Sequence, residues 1–232
     1  MTPLLRVGAG LAGPELMGGL TTRLGFSPRD ADDERSRQRL RDELAAAIGR
    51  SSRNMAWCQQ VHGAGVRLVE GPGAQGEADA LICASGQQVL LVSVADCCPV
   101  LVWDGGGPCI AVAHAGWRGL VAGVLGQTLQ ALAPFAPANS LRAWIGPSIG
   151  VAHFEVGEEV AAQFDAAFVR RGPGKPHVDL KAAAAAELAR VGIPTRAIQV
   201  CPDDTYARAD LYWSYRRDGG ICGRHLGYLA RI

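Results

Sequence analysis

A mixed α/β fold, α+β in its lack of strict alternation, is predicted for this chain on three observations. Of its 232 residues, 48% are hydrophobic and 19% charged, enough to bury a core as one large domain or two small intimate ones. Short β-rich runs interleave with helical periodicities. Several of those runs are apolar at consecutive positions, as expected of strands buried on both faces.

From the N-terminus, Gly18–Arg23 reads as a turn entering a short polar segment. Arg29–Arg53 is the most charged stretch; Leu40, Leu44, Ala47 and Ile48 recur there at helical spacing before Gly49, which predicts an amphipathic surface helix. From Trp57 onward the predicted strands are Trp57–Val61, Val66–Val69, Ala80–Ile82, Val89–Val94, Val100–Trp103, Cys109–His114, Leu141–Ile145 and Ala197–Cys201. Further helices are expected at Leu120–Leu132, Gly157–Ala167 and Leu180–Val191, the last stopped by Gly192 with Pro194 beyond it. Ala133–Ala138 and Gly172–Pro176 read as surface loops. The sequence shows no internal repeat and no convincing linker, which leaves both domain counts open.

Lys plus Arg (23) against Asp plus Glu (22) gives a net charge of +1, which removes the electrostatic footprint of a general nucleic-acid or anionic-membrane binder. No apolar run approaches the length of a membrane span, and Met1–Gly13 lacks a basic region followed by a sustained apolar stretch. A cytoplasmic protein is expected. Its seven cysteines are odd in number and irregularly spaced, which argues against a disulfide framework and for small buried hydrophobes.

Five histidines direct attention to the cysteines near them. Two β-prone runs flank Gly105-Gly106, a favoured two-residue hairpin loop. In that register Trp103 faces Pro108, and Cys97 in turn faces His114. Opposed side chains have Cβ atoms roughly 4.5–5.5 Å apart, close enough for a thiolate and an imidazole to share a metal or a proton. His62, in Gln60-Val61-His62-Gly63, completes a His₂Cys set, the ligand types of a catalytic zinc site that keeps one position open. Cys58 is a poor fourth ligand, since four residues of extended strand place it about 13 Å away. His153, His177 and His225 have no Cys or His at useful spacing and are expected to be structural or exposed.

At these residues the sequence resembles the YfiH-like family, also called the laccase-domain or polyphenol-oxidase-like family and assigned as purine nucleoside phosphorylases. The matching segments are Gln60-Val61-His62-Gly63, Ala95-Asp96-Cys97, Ala113-His114-Ala115-Gly116-Trp117-Arg118-Gly119, Ile145-Gly146-Pro147-Ser148-Ile149, Phe154-Glu155-Val156-Gly157 and Ser214-Tyr215-Arg216-Arg217-Asp218-Gly219. The chain departs from the family at Cys222-Gly223-Arg224, where the family reads Thr-Gly-Arg, and around Cys201-Pro202. The resemblance implies a single domain over residues 1–232, a layered α-β-β-α sandwich with mixed sheets. It also implies a metal site at His62, Cys97 and His114, holding zinc or, as the alternative, copper.

The activity implied is phosphorolysis of adenosine, inosine, guanosine and methylthioadenosine, with hydrolytic deamination of adenosine; the partners are then a purine nucleoside and phosphate. Phosphate held beside the ribose favours arginines, and Arg118, Arg23, Arg216 and Arg224 are the candidates, Arg118 first because it lies four residues beyond His114. The His-x-Glu and Pro-Cys-x-x-Cys motifs of nucleobase deaminases are absent, so the general acid is not assigned by motif; Glu155 and Asp96 are considered for it. Three other readings stand beside this one, of which a zinc-stabilised binding domain is disfavoured because a closed site wants four protein ligands and three are found. Cys97 with His114 as base would make an amide hydrolase of the peptidoglycan-precursor editing type. A copper polyphenol oxidase is disfavoured because the chain contains no His-x-His pair.

Overall fold

A computed structural model describes residues 4–6, 15–24 and 33–232. In chain order its elements are β1 (Leu4–Arg6), β2 (Leu16–Thr21), α1 (Glu34–Ile48), β3 (Met55–Gln59), β4 (Val66–Leu68), β5 (Gly73–Glu77), β6 (Ala80–Cys83), β7 (Val89–Val94), β8 (Cys98–Asp104) and β9 (Ile110–Ala115). There follow α2 (Trp117–Val121), α3 (Val124–Leu132), β10 (Leu141–Ile145), α4 (Glu158–Ala161), β11 (Val169–Arg170), β12 (His177–Val178), α5 (Leu180–Arg190), β13 (Ile198–Val200) and β14 (His225–Arg231). None of the described helices is long and apolar enough to cross a membrane.

Two six-stranded mixed sheets stack face to face, one ordered β1-β2-β14-β7-β3-β5 and the other β13-β10-β8-β9-β6-β4. Side-chain alternation then sorts the apolar residues into three cores. Leu40, Leu44 and Ile48 of α1 pack on Met55, Leu91 and Tyr228, outside the first sheet. Leu90 and Val92 of the first sheet meet Leu101, Trp103 and Val112 of the second. Val100, Val102 and Ala113 turn outward to Leu125 and Leu129 of α3 and Ala184 and Leu188 of α5. The result is the expected sandwich of helix, sheet, sheet and helices.

Several local expectations are corrected. Gly18–Arg23 is not a turn: most of it belongs to β2, which pairs with β14 at the far end of the chain, a partner that local composition does not reveal. The charged helix is confined to Glu34–Ile48, capped by the Asp33 carboxylate and by Gly49 in a left-handed conformation; the expected residues 29–32 lie outside the described ones. The single helix expected over Leu120–Leu132 is two, α2 and α3, separated at Gly123 with φ 79°. Gly157–Ala167 yields only the short α4, because Asp165 caps a new 3₁₀ turn. β5 and β14 have no counterpart among the strands that the sequence predicts.

The β8–β9 hairpin also differs in register. Trp103 pairs with Ile110 and Pro99 with His114, a shift of two residues from the tight-loop register. The connection is a four-residue loop, Gly105–Pro108, in which the Asp104 carboxylate accepts from Gly106 N–H (3.2 Å) and Ser140 Oγ (2.7 Å). An even shift leaves each side chain on its face of the sheet, whereas a shift of one would invert it. Cys97 therefore stays on the His114 side although the two are diagonal rather than opposite.

Candidate metal centre

Three segments deliver the cluster. His114 stands on β9, facing the space between the sheets; Cys97 immediately precedes β8; His62 follows β3 in a loop. Their ligand atoms all lie within 4.8 Å of one another, a spread that small side-chain movements close onto the ~2.0–2.3 Å bonds of a single ion. The two imidazole rings meet edge to face, centroids 4.8 Å apart. His114 is buried, Cys97 half-buried and His62 exposed, so the cluster opens to solvent on the His62 side.

The carboxylate of Asp79, fully buried just before β6, was missed by sequence reasoning. His114 Nδ1 lies 2.8 Å from Asp79 Oδ1, and because an ionised carboxylate only accepts, Nδ1–H is the donor. This leaves Nε2 free to ligate. Asp79 also accepts backbone N–H groups from Val61 (3.2 Å), His62 (3.0 Å) and Gly63 (2.7 Å). The available signal was an acidic residue opening an otherwise apolar strand, Ala78-Asp79-Ala80-Leu81-Ile82.

Electrostatics within the cluster are mutual. Burial works to raise the Asp79 carboxyl, but hydrogen bonds from His114 and Gly63 and the charge of His114 hold it below the ordinary carboxylate value. Burial disfavours a charged His114, yet Asp79 and Cys97 raise its pKa to about 9. Burial likewise opposes ionisation of Cys97, and the hydrogen bonds and charges of His114 and His62 overcome it, bringing the thiol down to about 7. Cys58 and Cys98 lack such partners, and burial pushes both up to about 12.

Among the described residues, His62 (φ 59°) and Asp96 (φ 83°) are the two non-glycine positions with positive φ. One is a candidate ligand and the other adjoins Cys97, and such conformations cost of order 1–3 kcal/mol and persist only where the surroundings impose them. Asp96 is buried and accepts from Thr205 Oγ1 (2.5 Å), Ser214 Oγ (2.9 Å) and Arg216 N–H (2.8 Å). Both of its oxygens thus accept hydrogen bonds that tie the 205–216 segment to the Cys97 loop. The Glu155 side chain is half exposed, 3.6 Å from Lys175.

The four arginines differ in their local contacts. Arg23 lies over the Trp213 ring at 4.1 Å, with Nη1 donating to the Ala209 carbonyl, in a depression shared with Asp218 and Ile221. Arg216 donates to the Glu155 and His153 carbonyls, and Arg224 to the Cys222 carbonyl. Arg118 is exposed at the start of α2, stacked on Trp117 at 4.4 Å, with no hydrogen bond to a described side chain or ion-pair partner. His153 bonds Asp204 (2.6 Å), and buried His225 accepts the Trp213 N–H through Nε2 (2.8 Å), both structural arrangements.

Fold and site together define a four-layered α/β protein with a His₂Cys ligand set open on one side. The chain belongs to the family described as multi-copper polyphenol oxidoreductase laccase, which matches residues 18–231; this is the YfiH-like family. It is 37% identical over 199 residues to a Deinococcus radiodurans protein named purine nucleoside phosphorylase, covering 84% of this chain and 77% of that one. It is 40% identical over 195 residues to Escherichia coli purine nucleoside phosphorylase YfiH, covering 80% and 75%. The structure superimposes on YlmD of Geobacillus stearothermophilus with a TM-score of 0.90 at 26% identity, covering 99% of this chain and 96% of that one.

Proposed function

We propose that the protein is a purine nucleoside phosphorylase in which His62, Cys97 and His114 hold a zinc ion, the whole chain acting as one domain in the cytoplasm. One observation carries the reading: two imidazoles and a thiol from three segments reach one point that is open to solvent. The names of its relatives support it. The substrates are adenosine, inosine, guanosine and methylthioadenosine with phosphate, and adenosine deamination is a second activity. A net charge of +1 lacks the electrostatic footprint of a general nucleic-acid or anionic-membrane binder, in keeping with small-molecule substrates.

The donor set suits zinc, which takes three protein ligands of these types and leaves one position open. Copper, the alternative, favours His₂Cys completed by a long axial methionine; the described methionines, Met17 and Met55, lie in the core beside α1 instead. When bound, zinc supplies Lewis acidity and draws the pKa of water toward 7, which suits the deamination. In phosphorolysis a phosphate oxygen bonds to the ribose C1′ as the N-glycosidic bond breaks, and the departing base takes up a proton. Arg118, whose guanidinium makes no hydrogen bond or ion pair with a described side chain, holds the phosphate. Asp96 is not assigned as the acid, since its oxygens are occupied.

Incubation with adenosine, inosine and guanosine, with and without phosphate, tests this. Free base and ribose 1-phosphate should form only when phosphate is present, and inosine from adenosine reports deamination. Base released equally in phosphate-free buffer would overturn phosphorolysis.

A second reading rests on the file Cys97, His114, Asp79, whose order matches a thiol nucleophile, its base and an orienting carboxylate. An amide hydrolase of that kind would keep its activity in a chelator and lose it to iodoacetamide.

A further inference from the structure

The two histidines come from separate segments, yet a single carboxylate touches both. Asp79 Oδ1 meets the His114 ring at Nδ1 (2.8 Å) and the backbone N–H of His62 (3.0 Å), while Oδ2 takes the N–H groups of Val61 (3.2 Å) and Gly63 (2.7 Å). Three consecutive N–H groups converging around a left-handed residue form a nest, a concavity that ordinarily binds an anion. Here the anion is built into the chain. The position is fully buried, and a backbone bond from His114 N–H to the Asp79 carbonyl (2.7 Å) ties the same two residues again.

We infer that Asp79 is the positioning residue of the metal centre: by accepting from Nδ1–H it presents His114 Nε2 to the ion, and by filling the 61–63 nest it fixes where His62 stands. Four donors share two oxygens, so the two ligands are coupled; neither moves without disturbing the acceptor of the other. Carboxylate–histidine–metal arrangements act in this way at other centres, and loss of the outer partner costs 10–100-fold in metal affinity. The inference rests on reading the cluster as a zinc site.

Asp79→Asn is the informative change, because it keeps volume but replaces one acceptor oxygen with a donor. Either an N–H of the nest loses its partner, or His114 turns its Nδ1 lone pair to the amide and carries its proton on Nε2, the ligating nitrogen. Zinc affinity, measured by competition with a chelator on metal-free protein, should fall 10–100-fold. A second measurement does not depend on the variant's folding: nitrogen NMR of the zinc-loaded wild type should find His114 protonated at Nδ1 and zinc at Nε2. Ligation through Nδ1, or unchanged zinc affinity in a folded Asp79→Asn, would overturn the inference while leaving the metal reading intact. A wild-type protein that takes up no zinc would overturn both.

Discussion

A Cβ atom at Gly116 would stand 2.9 Å from the Sγ of Cys97 and 3.5 Å from His62 Cδ2. The glycine is therefore the wall against which the cluster is formed, across the ladder from Cys97. Its backbone is extended, with φ −74° and ψ 168°, so an alanine fits there conformationally and acts through volume alone. Gly116→Ala should displace the sulfur and lower bound zinc well below one per chain, with far-ultraviolet circular dichroism unchanged. Full metal content in this variant would mean that Cys97 is not a ligand in the observed rotamer.

Removing any one ligand should reduce metal and activity together, but the costs in stability should differ. His62 is exposed, and His62→Ala should leave the metal-free protein within about 0.5 kcal/mol of wild type. His114→Ala strips a buried carboxylate of its ring partner, a change worth about 1–3 kcal/mol before any packing loss. Denaturant unfolding of the metal-free variants measures the difference; equal stabilities would count against the Asp79 bond.

Cys97 in the metal-free protein should react with iodoacetamide at neutral pH. Its pKa of about 7, below the ordinary thiol value of 9.0, means that the reactive thiolate grows in as pH rises from 6 to 8 and then saturates. Cys58 and Cys98, raised to about 12, should stay unmodified throughout. Mass spectrometry of the alkylated peptides across that range checks both statements, and zinc should protect Cys97.

Arg118→Ala should raise the KM for phosphate about tenfold or more and leave bound zinc untouched, because the guanidinium touches no ligand and a charge-assisted hydrogen bond is worth about 1.5–3 kcal/mol. Arg23, Arg216 and Arg224 already spend hydrogen bonds on backbone carbonyls, so their loss should register first as lowered thermal stability. Steady-state kinetics at varied phosphate, beside thermal melts, separates the two behaviours.

The sequence by itself determined the mixed α/β class, the strands Val89–Val94 and Leu141–Ile145 to the residue, and the identity of the three clustered side chains. These were legible because they depend on local pattern: apolar runs buried on both faces, and rare ligand types fixed to one face by a periodicity of two. Tertiary structure decided what depends on distant partners. β5, Gly73–Glu77, has no apolar pattern and is a strand because β3 pairs with it; Gly18 and Gly19 lie in a strand because β14 lies beside them. The hairpin register turned on a side-chain hydrogen bond from a four-residue loop, and the site survived the error because the shift was even. Asp79 could not be singled out, since the bonds that define its role reach 16 to 18 residues back to a loop and 35 forward to a strand, separations that only the closed sandwich brings to contact distance.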